Sequence, residues 1–249
     1  MLVTYDGIVV GRREIGDSNL YLDILTEEQG IIEALAHSAK KINSSLLSSA
    51  SLFAYSTFCF NCNEKTGRYT INSAKPKFSF HEIGGDIVKL ALASYFAQAV
   101  RFCTPEEQRQ DSLVRFFAIA LYEVRSAERL EAVKSAFELR YSGMLGFRPD
   151  LRACFNCGCY EAERMFFLPD RGQIVCGECF NREYGGKSAE LLPETLGAMR
   201  NIIYAELSRC FKFGVSPAAA VQLSEITEDY FLSRTERSFG ALEYYKGLI

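Results

Sequence analysis

Residues 52–74 read LFAYSTFCFNCNEKTGRYTINSA. Two runs rich in Phe, Tyr and Thr flank Asn63-Glu64-Lys65-Thr66-Gly67, a polar stretch that ends in glycine. Aromatic and β-branched runs bounded by Asn and Gly are the pattern of paired strands, so the stretch is predicted to be a hairpin. It also holds Cys59-Phe60-Asn61-Cys62, which has the spacing of a metal-binding knuckle. Strand alternation separates the two readings. Phe58, Phe60 and Cys62 share one face, while Thr57, Cys59 and Asn61 share the other. Two sulfurs on opposite faces cannot meet one metal ion unless a bulge intervenes. Cys59 and Cys62 are therefore expected to be small apolar fillers.

Working toward the N-terminus, VTYDGIVV, NLYLDIL and GIIEALAHS repeat the pattern. Leu20, Leu22 and Ile24 alternate onto one face. Five short strands in about 80 residues suit a small barrel of the OB type. Toward the C-terminus the period changes. Ile87, Leu90, Ala91, Ser94, Tyr95 and Gln98 recur at helical spacing within Asp86–Cys103. Thr104-Pro105-Glu106-Glu107 resembles a cap, a first-turn proline and a capping-box glutamate. Ser112–Ser126 is apolar on most sides and is expected to be buried. Leu130–Leu145 reads as a third helix, ended by Gly146 and Pro149, and Pro193–Phe211 and Ser216–Arg234 as two more. The expected class is α+β: an OB-fold nucleic-acid-binding domain over residues 1–80 and a helical domain over 81–249.

Within the helical part lies CFNCGCYEAERMFFLPDRGQIVCGEC, residues 154–179. Cys154-x-x-Cys157 and Cys176-x-x-Cys179 have the spacing of a zinc site, and segment 151–182 is expected to hold one ion. Each short turn brings two thiolates to one side, and two such turns close a tetrahedron. Four thiolates fill the coordination sphere, so the zinc is expected to be structural rather than catalytic. Cys159 could replace Cys157 only by breaking the x-x spacing and is read as a bystander. The N-terminus has no basic start followed by a long apolar run, and no apolar stretch is long enough to span a bilayer. A cytosolic protein is expected, with nine cysteines serving as ligands and core residues instead of a disulfide framework.

The formal net charge is -3, which does not advertise nucleic acid. Locally the balance reverses. Residues 40–80 carry Lys40, Lys41, Lys65, Arg68, Lys75 and Lys77 against the single acid Glu64. Arg12 and Arg13, between the first two strands, could join this patch. Lysines neutralise phosphates, and exposed aromatics among Phe53, Tyr55, Phe58, Phe60 and Tyr69 could stack on bases. The competing reading makes those rings barrel core and the lysines a solvated rim. The only histidines are His37 and His81, and neither a G-x-S-x-G, a Walker loop nor a GxGxxG is present. No enzymatic chemistry is expected.

These residues also resemble a family. Gly16-Asp17-Ser18-Asn19 with Leu25–Gly30, the basic segment Ala36–Lys41, Leu145-Gly146-Phe147-Arg148-Pro149-Asp150-Leu151 running into the first cysteine pair, the second pair, and Arg237–Leu242 occur in the order seen in RecO proteins. The resemblance covers nearly the whole chain. It implies a recombination mediator acting in DNA repair, in the cytoplasm and on the nucleoid, with an N-terminal OB-fold and a zinc site in the helical part. It implies binding to single- and double-stranded DNA, annealing of complementary strands, and help in loading RecA onto strands coated by single-strand-binding protein. The partners implied are RecR and the acidic, apolar C-terminal tail of the coating protein, with RecA engaged indirectly and no membrane. From the residues alone a zinc-containing RNA- or protein-binding adaptor stays open, because fold does not decide ligand. A metalloenzyme is disfavoured by a closed ligand set.

Overall fold

The computed structural model describes residues 1–104, 109, 110, 112–180 and 187–249. Its first five elements are the strands β1 (Leu2–Ile15), β2 (Asn19–Thr26), β3 (Gly30–Ala36), β4 (Ala54–Asn63) and β5 (Arg68–Ser79). They close into a barrel in the order β1-β2-β3-β5-β4, and β4 returns to β1. Every neighbouring pair is antiparallel except β3 and β5, which run parallel through Ala34↔Tyr69 and Leu35↔Thr70. The five strands and the barrel follow the sequence reading. The long β1 serves two neighbours: Leu2–Ile8 pair with β4 and Gly7–Ile15 with β2. At the changeover, a side chain on Gly7 would lie 2.5 Å from Ile24 Cγ2 and 2.9 Å from the Leu25 carbonyl, so only glycine fits there.

The β4–β5 hairpin turns where expected. The N–H groups of Thr66 and Gly67 donate to Asn63 O at 3.1 and 2.8 Å, and Gly67 has a φ of 65°. The ladder contains a bulge beside Cys59, but its extra residue is Asn72 on β5, since Cys59 pairs with Ser73 and Phe60 with Ile71. Strand β4 keeps its regular register against β1. Phe58 and Phe60 are fully buried, stacked 5.8 Å apart, and share the core with Leu20, Leu22, Ile24 and Ile71. Cys59 and Cys62 are half-buried free thiols. Burying each of those rings contributes about 1.5–3 kcal/mol.

A short 3-10 turn, His81–Gly85, leads to α1 (Ile87–Cys103). Asp86 caps it, its carboxylate accepting from the N–H groups of Val88 and Lys89 at 2.9 and 3.1 Å. The single stripe read on this helix is too narrow. Ile87 is exposed, while Leu92, Ala93, Phe96, Ala97, Ala99 and Val100 are buried along with Ala91 and Tyr95. Helix α2 (Leu113–Ser126) buries the face expected of it. The capping box read at Thr104–Glu107 lies outside the described residues from Pro105 onward.

The chain divides into two compact units, residues 1–126 with 239–249, and residues 127–238. The barrel, α1, α2 and the last helix α6 (Gly240–Lys246) make the first. Phe239 meets Tyr95 of α1 at 5.6 Å between ring centres, and Gln98 Oε1 accepts from the Ala241 N–H at 3.0 Å.

The second unit holds α3 (Leu130–Met144), α4 (Pro193–Tyr204), α5 (Pro217–Thr235) and a three-stranded antiparallel sheet. The sheet is formed by β6 (Met165–Leu168), β7 (Gln173–Cys176) and β8 (Ala189–Leu191), in the order β7-β6-β8. Helix α4 ends at Tyr204, earlier than the Phe211 read from sequence. Arg140 of α3 donates to the carbonyls of Ile202 and Ile203 at 3.0 and 2.6 Å, which satisfies the end of the helix, and Ala205 turns extended. Between α3 and α5 a buried ammonium, Lys134 Nζ, lies 3.1 Å from Glu138 and 2.8 Å from Glu228. No helix among the described residues is long and apolar enough to cross a membrane.

Candidate metal centre and nucleic-acid interface

The two cysteine pairs are brought together by the small sheet. Cys176 ends β7, and the turn after it is closed by the N–H groups of Cys179 and Phe180, which donate to the Cys176 carbonyl at 3.1 and 2.8 Å. The first pair sits in a matching turn, where the Gly158 N–H donates to Cys154 O at 2.8 Å. That turn is tied to the sheet by the Phe155 N–H, which donates to Ile174 O at 3.0 Å. As a result the sulfurs of Cys154, Cys157, Cys176 and Cys179 all lie within 4.8 Å of one another. Cys157 Sγ and Cys176 Sγ are 3.7 Å apart. A tetrahedron of thiolates with metal–sulfur bonds of about 2.3 Å needs sulfurs about 3.8 Å apart, so the group can hold one metal ion.

The thiols of the group are shifted in opposite directions. Burial pushes Cys154 up, but the N–H groups of Cys157, Cys176 and Asn156 aimed at its sulfur prevail and pull it down to about 6. The Cys159 N–H and thiol lower Cys157 as well. Cys179 is pushed up to about 12, first by its contact with Cys157 and then with Cys176. A divalent cation held by the group would deprotonate its coordinating thiols outright. Cys159 stays outside the group of four, and its thiol is pushed up to about 12 chiefly by Cys157.

Just before the first pair, Asp150 accepts two hydrogen bonds from the Arg152 guanidinium at 2.9 and 2.8 Å. That contact, more than any other, holds its carboxyl down at about 2. A depressed carboxylate stabilises the fold above the ordinary carboxylate range and loses that contribution as pH falls through about 2. Asp150→Asn should therefore melt at a lower temperature than the parent at neutral pH, with the gap closing between about pH 4 and pH 2. A gap that widens on acidification would contradict this. In the same unit, Arg140, Gly143, Met144, Arg148, Ile203 and Tyr204 line an open cleft of about 260 Å³.

On the barrel, the eight expected phosphate contacts divide by partner. Arg13 is ion-paired with Glu33, Lys40 with Glu14 at 2.7 Å, and Lys77 with Asp6 at 2.5 Å. Burial pushes Asp6 up, but Lys77 and the Thr57 hydroxyl outweigh it and hold the carboxyl down. Arg12, Lys41, Lys65, Arg68 and Lys75 are exposed and make no ion pair among the described residues. The Lys40 N–H donates to Ser18 O at 3.1 Å, which sets the basic segment against the β1–β2 turn that follows Arg12 and Arg13. Lys65 and Arg68 instead sit at the β4–β5 hairpin, beside the start of β1, where Leu2 pairs with Asn61 and the Met1 ammonium donates to Cys62 O at 2.9 Å, so they are set apart from Arg12 and Lys41. Lys75 and Lys77 lie roughly 20–30 Å further along β5, at about 3.3 Å per residue, so the eight do not form one cluster.

The aromatic reading is resolved against stacking for three rings. Phe53, Phe58 and Phe60 are core, while Tyr55 and Tyr69 are half-buried. Sequence reasoning also missed a cleft of about 350 Å³ whose wall includes Arg68, Tyr69, Glu33, Asp23, Arg101 and Phe102. Asp23 is nearly inaccessible, and burial raises its carboxyl even though Arg101 lies 2.7 Å away. Nothing in the local sequence links β2 to the end of α1, so no signal could have paired them.

Comparison with known proteins comes to the same point. The family model described as "Recombination protein O N terminal" matches residues 1–80, and "Recombination protein O C terminal" matches residues 84–243. Similar proteins include those named DNA repair protein RecO from Alkaliphilus metalliredigens (27% identical, covering 99% of each chain) and Symbiobacterium thermophilum (28% identical, 98% of this chain and 96% of the relative). The Bacillus subtilis protein of that name is 25% identical over 93% of this chain and 89% of its own.

Proposed function

The chain belongs to the RecO family of DNA repair proteins, and on that footing we propose that it is a cytoplasmic, non-enzymatic mediator that binds single- and double-stranded DNA and anneals complementary strands. The observation that carries the reading is that the barrel exposes Arg12, Lys41, Lys65 and Arg68 without ion pairs among the described residues. Cations held this way neutralise phosphates and lower the repulsion between two strands. Lys40, Lys75, Lys77 and Arg13 add to the field around them, although three of these already face a carboxylate. The metal is read as zinc and as structural, held by Cys154, Cys157, Cys176 and Cys179. When bound it supplies a brace for the small sheet.

In this reading RecR is a partner, and help in loading RecA follows from displacing single-strand-binding protein. The acidic, apolar C-terminal tail of that protein would meet the cleft beside Arg148, whose guanidinium stands over Tyr204 with Met144 and Ile203 alongside. The decisive experiment is annealing of complementary oligonucleotides precoated with the cognate single-strand-binding protein, with and without RecR. Acceleration is expected, and none in either arm overturns the reading. Lys40→Glu with Lys41→Glu should weaken binding to bare single strands and flatten its salt dependence by about 0.7 log–log units per lost contact. The loss should fall mostly on Lys41, since Lys40 is already occupied by Glu14. Unchanged affinity and slope would remove both residues from the interface.

A further inference from the structure

A second cleft in the same unit as the four cysteines has the opposite character to the arginine-lined one. It has a volume of about 390 Å³, within the range of ligand-binding sites. Its floor is apolar: Met165 at the start of β6, Leu191 at the end of β8, and Pro193 and Leu196 on α4. Its rim carries Glu161 and Glu163, both exposed and neither ion-paired among the described residues. Arg200 also lines it but is spent on the wall. It donates to the carbonyls of Leu151, Arg152 and Tyr160 and stands 3.9 Å over the Tyr160 ring. Between the lining residues Glu163 and Met165, Arg164 grips Glu190 of β8 with two bonds of 2.8 Å, which ties this stretch to the sheet. The site is thus apolar below and anionic above.

Gly197 is a second, independent mark. It lies inside α4, where glycine weakens a helix relative to alanine. It faces this cleft, and a side chain placed on it would meet nothing within 4 Å. The glycine therefore leaves open a space that neither backbone geometry nor packing requires.

We infer that this cleft docks a protein partner through a peptide segment whose apolar side chain enters the pocket while a neighbouring Lys or Arg meets Glu161 and Glu163. An apolar anchor in a pocket beneath a polar rim is how interfaces concentrate their energy. The two unpaired carboxylates favour a cationic partner over phosphate, and the peptide test reads the site without DNA, so its outcome is independent of the mediator reading.

The four methionines give a direct readout, because Met165 lines the cleft while Met1, Met144 and Met199 do not. The metal-loaded full chain, labelled with ¹³C at the methionine methyls, is titrated with the capped tripeptide Lys-Leu-Lys, with Glu-Leu-Glu and with Lys-Ser-Lys. Met165→Leu assigns the signal. Lys-Leu-Lys should move the Met165 methyl alone and saturate at submillimolar to millimolar peptide, with the other two at least about tenfold weaker. Gly197→Phe should abolish the shift with an unchanged or higher melting temperature. Glu161→Gln with Glu163→Gln should weaken binding several-fold and remove its salt dependence. No movement of Met165 at millimolar Lys-Leu-Lys, equal binding of Glu-Leu-Glu, or full binding by Gly197→Phe would each overturn the inference.

Discussion

Cys176→Ala should leave the chain without bound metal and should unfold the small sheet of the second unit. Cys176 is almost inaccessible at the end of β7, and its sulfur is one of only four in the group. Structural zinc sites contribute about 10–16 kcal/mol to the folding of isolated zinc-finger peptides. That is as large as the whole stability of a typical domain, roughly 5–15 kcal/mol. Here β6 and β7 also pack apolar side chains such as Phe167, Ile174 and Val175, so the loss should be local to the segment rather than global. Elemental analysis should fall from one metal per chain to none, and amide exchange should rise across residues 151–180. Cys59→Ser and Cys62→Ser should keep the metal, since their sulfurs belong to the barrel. A Cys176→Ala protein that retains its full metal content would refute the four-ligand assignment. Metal kept in Cys157→Ala but lost when Cys159→Ala is added would show that Cys159 can step in.

The second large effect belongs to the buried ammonium between α3 and α5. Lys134→Met should cost about 3–5 kcal/mol, the usual consequence of removing one partner from a buried charge pair. Lys134 and Glu138 are essentially inaccessible, and Glu228 is only slightly exposed. Losing the cation leaves two carboxylates facing each other across the helix interface, with the Thr227 hydroxyl still donating to Glu138 at 3.0 Å. A well-packed apolar replacement of the whole group is often neutral. Lys134→Met combined with Glu138→Leu and Glu228→Gln should accordingly recover most of the loss. Urea unfolding measures both. A single-variant penalty below about 1 kcal/mol would mean that water reaches the site and that the charges are not held in a low-dielectric interior.

The two halves of the fold differ in how much of them can be read without coordinates. The barrel announces itself where a strand buries one face, as β4 does with Phe58 and Phe60, and the apolar alternation of Leu20, Leu22 and Ile24 is legible even though Leu22–Thr26 are buried on both faces. The same alternation sets Cys59 apart from a metal role. In β6, by contrast, all four residues are buried, and a strand with two covered faces shows no alternation. The end of α4 is fixed by Arg140 from another helix, which no local pattern encodes. Of the candidate site, the four cysteines are legible because metal geometry demands their spacing. The cations are legible as residue types only. Which of them face a carboxylate depends on register: Glu33 lies across β2 from Arg13, and Asp6 lies across β4 from Lys77.

The division of the chain has a consequence for its birth on the ribosome. Helix α6 completes the first compact unit by covering α1 through Phe239 and Ala241, yet the whole second unit intervenes. Translation at about 5–20 residues per second puts roughly 6–23 s between the emergence of Ser126 and that of Phe239. During that interval Tyr95 and its neighbours on α1 lack their last cover. The second unit has its full sequence out first, so the nascent chain closes from the inserted part outward, and α6 acts as the latch that ends the exposure.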